Sequence, residues 1–321
     1  MTRPKVVIDT DPGVDDAVAI LLALASPEID VIGISVVAGN VPLGDALGNA
    51  CRIVGLSGRS DIPVRAGAAG PLVRDQVFGK YRAIGIFGDD IVAPATMAVD
   101  TEHAVQFLVR QARLAAASGE LLTICAIGPL TNVALALVQD ADVARGIGHI
   151  VCMGGAFAAL GHRTPWAEFN FYADPHAAEI VFRSDIPMIL MSLDVTCQAL
   201  FTAEHVDCMR SRGGKAGAAI AGLLTRFDRS DLARYGRAGA PLHDAMTVAW
   251  LVEPSLFQMR PAVVGVEVGG YTAGHSYADF HGQTGRAAKV MLATGVAEAG
   301  FRDLVIDRMA RYGKRSAGGG G

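Results

Sequence analysis

The stretch Val6–Ile20, VVIDTDPGVDDAVAI, sets Asp9, Asp11, Asp15 and Asp16 within eight positions, between a β-branched apolar run and one of helical character. Two unit charges about 4 Å apart repel by roughly 4 kcal/mol at an effective dielectric near 20. A fold that gathers four such groups needs a compensating positive charge. Pro12 and Gly13 make a tight turn, and Asp15 and Asp16 fall at the start of the following helix. The dipole of that helix favours an anion by a few tenths to about 1 kcal/mol, enough for one carboxylate and not for a cluster. Asp9 and Asp11 are two apart and share a strand face, and Asp16 can turn back towards them from the first helical turn. Oxygen-only ligands at this density suit a hard cation, Ca²⁺ or Mg²⁺, over zinc. An EF-hand loop starting at Asp9 would need Glu at its twelfth position, where Ile20 stands. A D-x-D phosphatase would continue as D-x-D-G-T, whereas Asp15 and Asp16 add negative charge where a phosphate would approach.

The elements that must hold these residues alternate along the chain. Residues 5–9, 30–39, 121–128, 149–155 and 187–194 are near-continuously apolar, as expected of parallel strands covered on both faces. Residues 15–26, 42–57, 101–117, 129–139, 175–184, 202–212, 215–228 and 241–252 carry helical spacing, several opened by Pro or a capping residue, as with Asp174 before Pro175. Residues 255–293 are richer in strands and turns, and 295–312 reads as a closing helix. The pattern predicts an α/β fold: a doubly wound, mostly parallel open sheet with helices on both faces, in one large domain over residues 1–314, with 315–321 a flexible tail. In such sheets ligands collect outside the carboxyl ends of the strands. There the exits read DTDPGVDD, then Gly39-Asn40, Ile127–Asn132, Met153–Gly155 and Leu193–Thr196.

The 321 residues are 51% hydrophobic and 19% charged with a net charge of −4, enough to bury a large core and no basis for a polyanion partner. The Lys and Arg residues are scattered, so neither nucleic acid nor a membrane surface is expected as a partner. Five cysteines, Cys51, Cys125, Cys152, Cys197 and Cys208, are widely spaced without a C-x-x-C pair. That usage, with acidic residues preceding any long apolar run, leads to the expectation of a cytoplasmic protein. No G-x-G-x-x-G, P-loop or nucleophile elbow is present, so nicotinamide, ATP and serine-hydrolase chemistries have no support.

DTDPGVDDAVAI resembles the N-terminal signature of the inosine-uridine preferring nucleoside hydrolases. Further matches follow in order: VAGN at 37–40, GPLTNVALAL at 128–137, MGGAF at 153–157, AEFNFYADPHAAEIVF at 167–182, LDVT at 193–196 and HDAM at 243–246. The resemblance implies a calcium-dependent enzyme that hydrolyses a ribonucleoside to ribose and free base, with Ca²⁺ held by Asp11, Asp16, Asp244 and the Ile127 carbonyl. It implies Asp11 as the base that activates water, Asp15, Asn40, Glu168 and Asn170 as ribose contacts, and a homodimer or homotetramer. Met153, before two glycines, reads as a wall residue, and His243 as an acid or contact at the leaving base. Non-catalytic, Ca²⁺-dependent binding of ribose or nucleoside is the alternative.

Three departures from that family bear on the leaving base or the ribose 5′ end. Phe87 stands where many relatives carry a loop histidine, His162 where many carry an asparagine that reaches the ribose 5′ hydroxyl, and Arg234-Tyr235 resembles a base-side pair with its spacing to His243 altered by about one residue. His162 then means an altered 5′ substituent or a shifted loop. With Phe87 in that place, protonation of the base falls to His243, Tyr235 or solvent. Trp166 and Phe87 are candidates to stack on a base, and Asn132 is expected to satisfy its turn.

Overall fold

Apolar runs without alternation need cover on both faces, and the computed structural model, which describes residues 3–79, 82, 87–95, 97–226 and 232–318, supplies it. Its strands are β1 (Lys5–Thr10), β2 (Asp30–Val36), β3 (Val64–Ala66), β4 (Leu122–Ala126), β5 (Ile147–Met153), β6 (Met188–Met191), β7 (Leu200–Phe201), β8 (Ala240–Pro241), β9 (Phe257–Val266), β10 (Ser276–Asp279) and β11 (Val290–Val296). A nine-stranded sheet runs in the order β10-β9-β11-β6-β5-β4-β1-β2-β3. The strands from β3 across to β11 pair in parallel, and β9 and β10 close the far edge antiparallel.

The helices are α1 (Val14–Leu24), α2 (Leu43–Ser57), α3 (Ala104–Ser118), α4 (Thr131–Gln139), α5 (Val143–Gly146), α6 (Phe169–Ala173), α7 (Pro175–Arg183), α8 (Leu193–Thr196), α9 (Ala203–Arg212), α10 (Gly214–Thr225), α11 (Leu232–Tyr235), α12 (Ala245–Val252) and α13 (Glu298–Gly318). One core packs α1, α2, α10, α12 and α13 on one face of the sheet, and a second packs α3, α4 and α7 on the other. The doubly wound expectation holds. Among the described residues no helix is long and apolar enough to cross a membrane.

The chain runs outward from β1 through β2 to β3 and then returns to β4 on the other side of β1, so the switch point of the sheet lies between β1 and β4. Asp11 follows β1 and Ile127 follows β4, which places them at the crevice where such sheets bind ligands. Asn132, in the first turn of α4, locks this edge. Its Nδ2 donates to Asp9 Oδ1 at 2.9 Å and to the Val36 carbonyl at 3.3 Å, and its Oδ1 accepts the Ala68 N–H at 2.8 Å. Asp174 does the same for α7, accepting the N–H of Ala177 at 3.0 Å, the N–H of Leu72 at 2.9 Å and the Thr131 hydroxyl at 2.8 Å.

Several boundaries differ from the sequence expectation, the strand expected over 30–39 ending at Val36 among them. The predicted helix over 241–252 starts at Ala245, because Ala240–Pro241 pairs antiparallel with Leu200–Phe201 and leaves His243 and Asp244 in a turn. The predicted strand over 187–194 ends at Met191 and passes into α8. The closing helix α13 continues to Gly318, past the predicted 312. Of the predicted helix over 215–228, residues 227 and 228 lie outside the described residues, as do 319–321 of the predicted tail.

Asn132→Ala is expected to destabilise the fold by about 2–3 kcal/mol, because it strands the part-buried Ala68 N–H and removes one of the donors on the buried Asp9. Urea unfolding checks this; a change under about 0.5 kcal/mol, the range of ordinary surface substitutions, would show that the edge does not depend on Asn132.

Candidate active site

The turn after β1 carries the carboxylates inward. Asp11 and Asp16 are each 1% exposed and Asp9 is fully buried. Asp9 Oδ1 accepts the Ser35 hydroxyl at 2.6 Å from the neighbouring strand. Asp16 Oδ1 accepts the Thr10 hydroxyl at 2.6 Å, and its Oδ2 caps the Gly13 N–H at 2.9 Å. Asp11 Oδ2 accepts the Asn40 N–H at 2.6 Å, and Asn40 Nδ2 donates to the Asp11 carbonyl at 3.2 Å. Asp11 Oδ1 is buried and has no hydrogen-bond partner.

Two glycines let the backbone close around that carboxylate. A Cβ at Gly39 would fall 2.1 Å from Asp11 Oδ2, and one at Gly128 would fall 2.7 Å from Asp11 Oδ1. No other residue fits there without moving Asp11. Asp244, 5% exposed, stands at the head of α12, and Ile127 is 1% exposed at the exit of β4.

Burial raises these carboxyls first, and their neighbours add to it. Asp16 is pushed up to about 6. Asp11 is raised well above the usual carboxylate range by burial, Asp16 and Glu168, and Asp244 by burial, Asp16, Asp15, Asp11 and Glu168. The carboxylates of the first turn, Glu168 and Asp244 thus share one electrostatic field, although they come from three separate parts of the chain. Among the described residues no three His, Cys, Asp or Glu side chains already make a metal-holding group by themselves. Carbonyl and solvent oxygens would have to complete one.

Glu168 caps α6. Its Oε1 accepts the Asn170 N–H at 2.9 Å, and its Oε2 accepts the N–H groups of Gly155 and Phe171, each at 3.2 Å. Burial pushes this carboxyl up, but His162 and the backbone donors outweigh it and hold it below the usual range. His162 Nε2 accepts the Phe169 N–H at 3.1 Å and lies 3.5 Å from Glu168 Oε1. One proton state of Nε2 does not serve both contacts. Asn170 Nδ2 bridges the carbonyls of Ile127 at 3.0 Å and Met153 at 3.2 Å, so Met153 enters through its backbone as well as forming a buried wall.

His243 joins the acidic turn to the outer loop. Its N–H donates to Asp15 Oδ2 at 3.2 Å, and its ring meets His162 edge-on with centroids 5.8 Å apart. Its Nδ1 lies 2.7 Å from the Thr196 hydroxyl. The loop bearing His162 is pinned at its base by Asp194, whose carboxylate accepts the N–H groups of Phe157, Ala158 and Ala159 at 2.7–2.9 Å. It is pinned from outside by Arg234, which donates to the carbonyls of Leu160 at 2.7 Å and Gly161 at 3.2 Å. Tyr235, half-buried at the end of α11, follows Arg234 at this rim.

Phe87 does not stack on a base. It is 1% exposed and packs in the core, while its N–H donates at 3.1 Å to Asn49, which also holds the Pro12 carbonyl at 2.8 Å. An apolar ring of that size is worth more buried than at a wet rim. Residues 84–86, before it, lie outside the described residues. Trp166 is half-buried, with its Nε1 buried and without a partner. Asp194 and Thr196 sit in LDVT, a motif whose sequence carried no hint of which side chains they would meet. Only their position at a strand exit pointed to the site.

The family model described as inosine-uridine preferring nucleoside hydrolase matches residues 6–303. The pyrimidine-specific ribonucleoside hydrolase RihA of Citrobacter koseri is 43% identical over 311 residues, covering 96% of this chain and 98% of that protein. Among solved structures, the purine-preferring ribonucleoside hydrolase from Gardnerella vaginalis superposes with a TM-score of 0.86 at 31% identity, covering 97% of this chain and 99% of that one. A plant nucleoside hydrolase does so with a TM-score of 0.86 at 29% identity, covering 96% and 99%. With the match running over nearly the whole chain and the same fold in the solved relatives, this chain belongs to the inosine-uridine preferring nucleoside hydrolase family.

Proposed function

We propose that the chain is a calcium-dependent ribonucleoside hydrolase that cleaves the N-glycosidic bond to give ribose and free base, with pyrimidine ribonucleosides as its preferred substrates. The observation that carries the reading is Asp11 Oδ1, a buried carboxylate oxygen without a partner, aimed into a field of other carboxylates. The relative named as pyrimidine-specific, at 43% identity against 31% for the purine-preferring one, supports the base class. Five free thiols support a cytoplasmic enzyme, and the family supports a homodimer or homotetramer.

The residues fit a calcium ion. Asp11, Asp16, Asp244 and the Ile127 carbonyl offer only oxygen, the orphaned Asp11 Oδ1 lacks any donor, and burial with mutual repulsion raises every carboxyl of the set. When bound, the ion supplies the positive charge that keeps these groups ionised, acidifies a water and grips a sugar diol. Asn40 fixes Asp11 through Oδ2, which leaves Oδ1 to take the proton of the attacking water. As the bond from C1′ to the base nitrogen lengthens, positive charge grows on the ribose. Asp15, and Glu168 held ionised by its backbone donors, stabilise that charge more than they stabilise the neutral substrate. Asn40, His162 and Asn170 line the sugar, with Met153 as a wall. The base departs with the bonding electron pair and needs a proton, for which His243, beside Asp15 and His162, is the donor in this reading. Tyr235 is read as a contact on the base side.

Removing divalent ions with a chelator is expected to lower the melting temperature and abolish turnover, with calcium restoring both. Saturation at about 100 times the dissociation constant adds about 2.7 kcal/mol to stability. Metal-free protein as purified, with a melting point indifferent to calcium, would remove the ion from the reading.

Uridine and cytidine should exceed inosine in kcat/KM, and each should exceed its 2′-deoxy analogue by at least about 10²-fold, because a site built around a diol leaves buried polar groups unpaired without it. A reducing-sugar assay over this panel decides both points, and equal rates on ribo- and deoxyribonucleosides would contradict the diol grip.

His243→Ala should slow a natural ribonucleoside by roughly 10²–10⁴-fold while sparing p-nitrophenyl riboside, whose leaving group needs no proton. Asp11→Ala should abolish both activities, since water activation is needed whatever leaves. Survival of nitrophenyl riboside turnover in Asp11→Ala would overturn the role given to Asp11.

A further inference from the structure

Thr196 ends the short helix α8 and is fully buried. A threonine at a helix end commonly bonds a carbonyl of its own last turn. Here its hydroxyl instead reaches 47 residues along the chain to Nδ1 of His243, at 2.7 Å. The approach is built by the two-stranded sheet. Pairing of Leu200 with Pro241 and of Phe201 with Ala240 lays the segment after α8 beside the segment that enters His243. His243 is thereby held at two points, by Thr196 at the ring Nδ1 and through its backbone N–H on Asp15 at 3.2 Å.

We propose that Thr196 is the positioning residue for His243, holding Nδ1 so that the proton given to the leaving base departs from Nε2. The proposal rests on the reading of His243 as leaving-group donor. Of the two ring nitrogens, the one bound by Thr196 keeps its hydrogen through the step and donates it to Thr196 Oγ1. Nε2 releases its proton to the base as the bond from C1′ breaks with its electron pair on the base, and the ring ends as the neutral Nδ1–H tautomer. Which nitrogen carries the proton in an imidazole is set by the bond the other one makes. Cys197, the next residue, interacts with both Thr196 and Arg234. Arg234 also holds the Leu160 and Gly161 carbonyls, so the same short network ties the ring to the rim of the site.

The test compares Thr196→Val, which keeps the shape and removes the hydroxyl, with Thr196→Ser, which keeps the hydroxyl. On a natural ribonucleoside Thr196→Val should lose about 10–100-fold in kcat, part of the usual contribution of a general acid, and on p-nitrophenyl riboside it should stay within about threefold of the parent. Thr196→Ser should recover most of the loss. Equal losses on the two substrates, no loss in Thr196→Val, or no recovery in Thr196→Ser would each overturn the proposal. Imidazole nitrogen NMR of the unaltered protein, with the His243 signals assigned by their disappearance in His243→Gln, reads the tautomer without turnover and covers the case in which Thr196→Val does not fold. A hydrogen on Nδ1 supports the proposal and a bare Nδ1 overturns it. A parent protein that hydrolyses no nucleoside overturns the hydrolase reading itself, and the tautomer then still decides whether Thr196 holds the ring in the stated way.

Discussion

Buried carboxylates at the carboxyl edge of a parallel sheet are the constraint around which the rest of this molecule is arranged. Each of Asp9, Asp11, Asp16 and Asp244 is nearly or fully removed from water, and several raise one another. Left alone such a group neutralises. The fold answers locally wherever it can: Ser35 and Asn132 on Asp9, Thr10 and Gly13 on Asp16, Asn40 on Asp11. Two oxygens among the described residues of this set, Asp9 Oδ2 and Asp11 Oδ1, are left without an answer from the protein, and Asp11 lies at the switch point where a ligand is expected. Gly39 and Gly128 make the same point sterically, since a side chain at either would displace Asp11 and not merely crowd it.

Around this acidic floor the outer wall is assembled from pieces that are weak individually. Asp194 gathers three consecutive N–H groups of the loop after β5, and Arg234 takes two of its carbonyls from the opposite side. A loop held at both ends can keep His162 against Glu168 and edge-on to His243. Glu168 shows how structural and functional duties coincide. The backbone donors that cap α6 and fix Gly155 are the same ones that keep a buried carboxylate ionised. The departure at Phe87 has a physical sense as well. Its ring goes into the core and its N–H braces Asn49 beneath the acidic turn, so this position supports the floor of the site in place of donating to a base.

The sequence by itself determined the alternation of strands and helices, the sheet edge on which the polar exits would gather, and the acidic turn that opens the chain. Those follow from local pattern: continuous apolar runs demand two-sided cover, and carboxylates flanking a Pro-Gly turn sit on one side of it wherever the chain goes. The order of motifs also sufficed to indicate the family, which the comparisons bear out. Tertiary structure alone decided the rest. β7 and β8 are two residues each, too short to carry any periodicity, and exist only because they find one another; with them came the start of α12 at Ala245 and the meeting of Thr196 with His243. Whether Phe87 faced a ligand or the core depended on the space left under α2, and whether Glu168 was a cap or a grip depended on the N–H of Phe171 in its own helix and that of Gly155 from another segment. A contact between residues dozens of positions apart is set by the closing of loops and the packing of whole elements, and no short window of sequence contains that information.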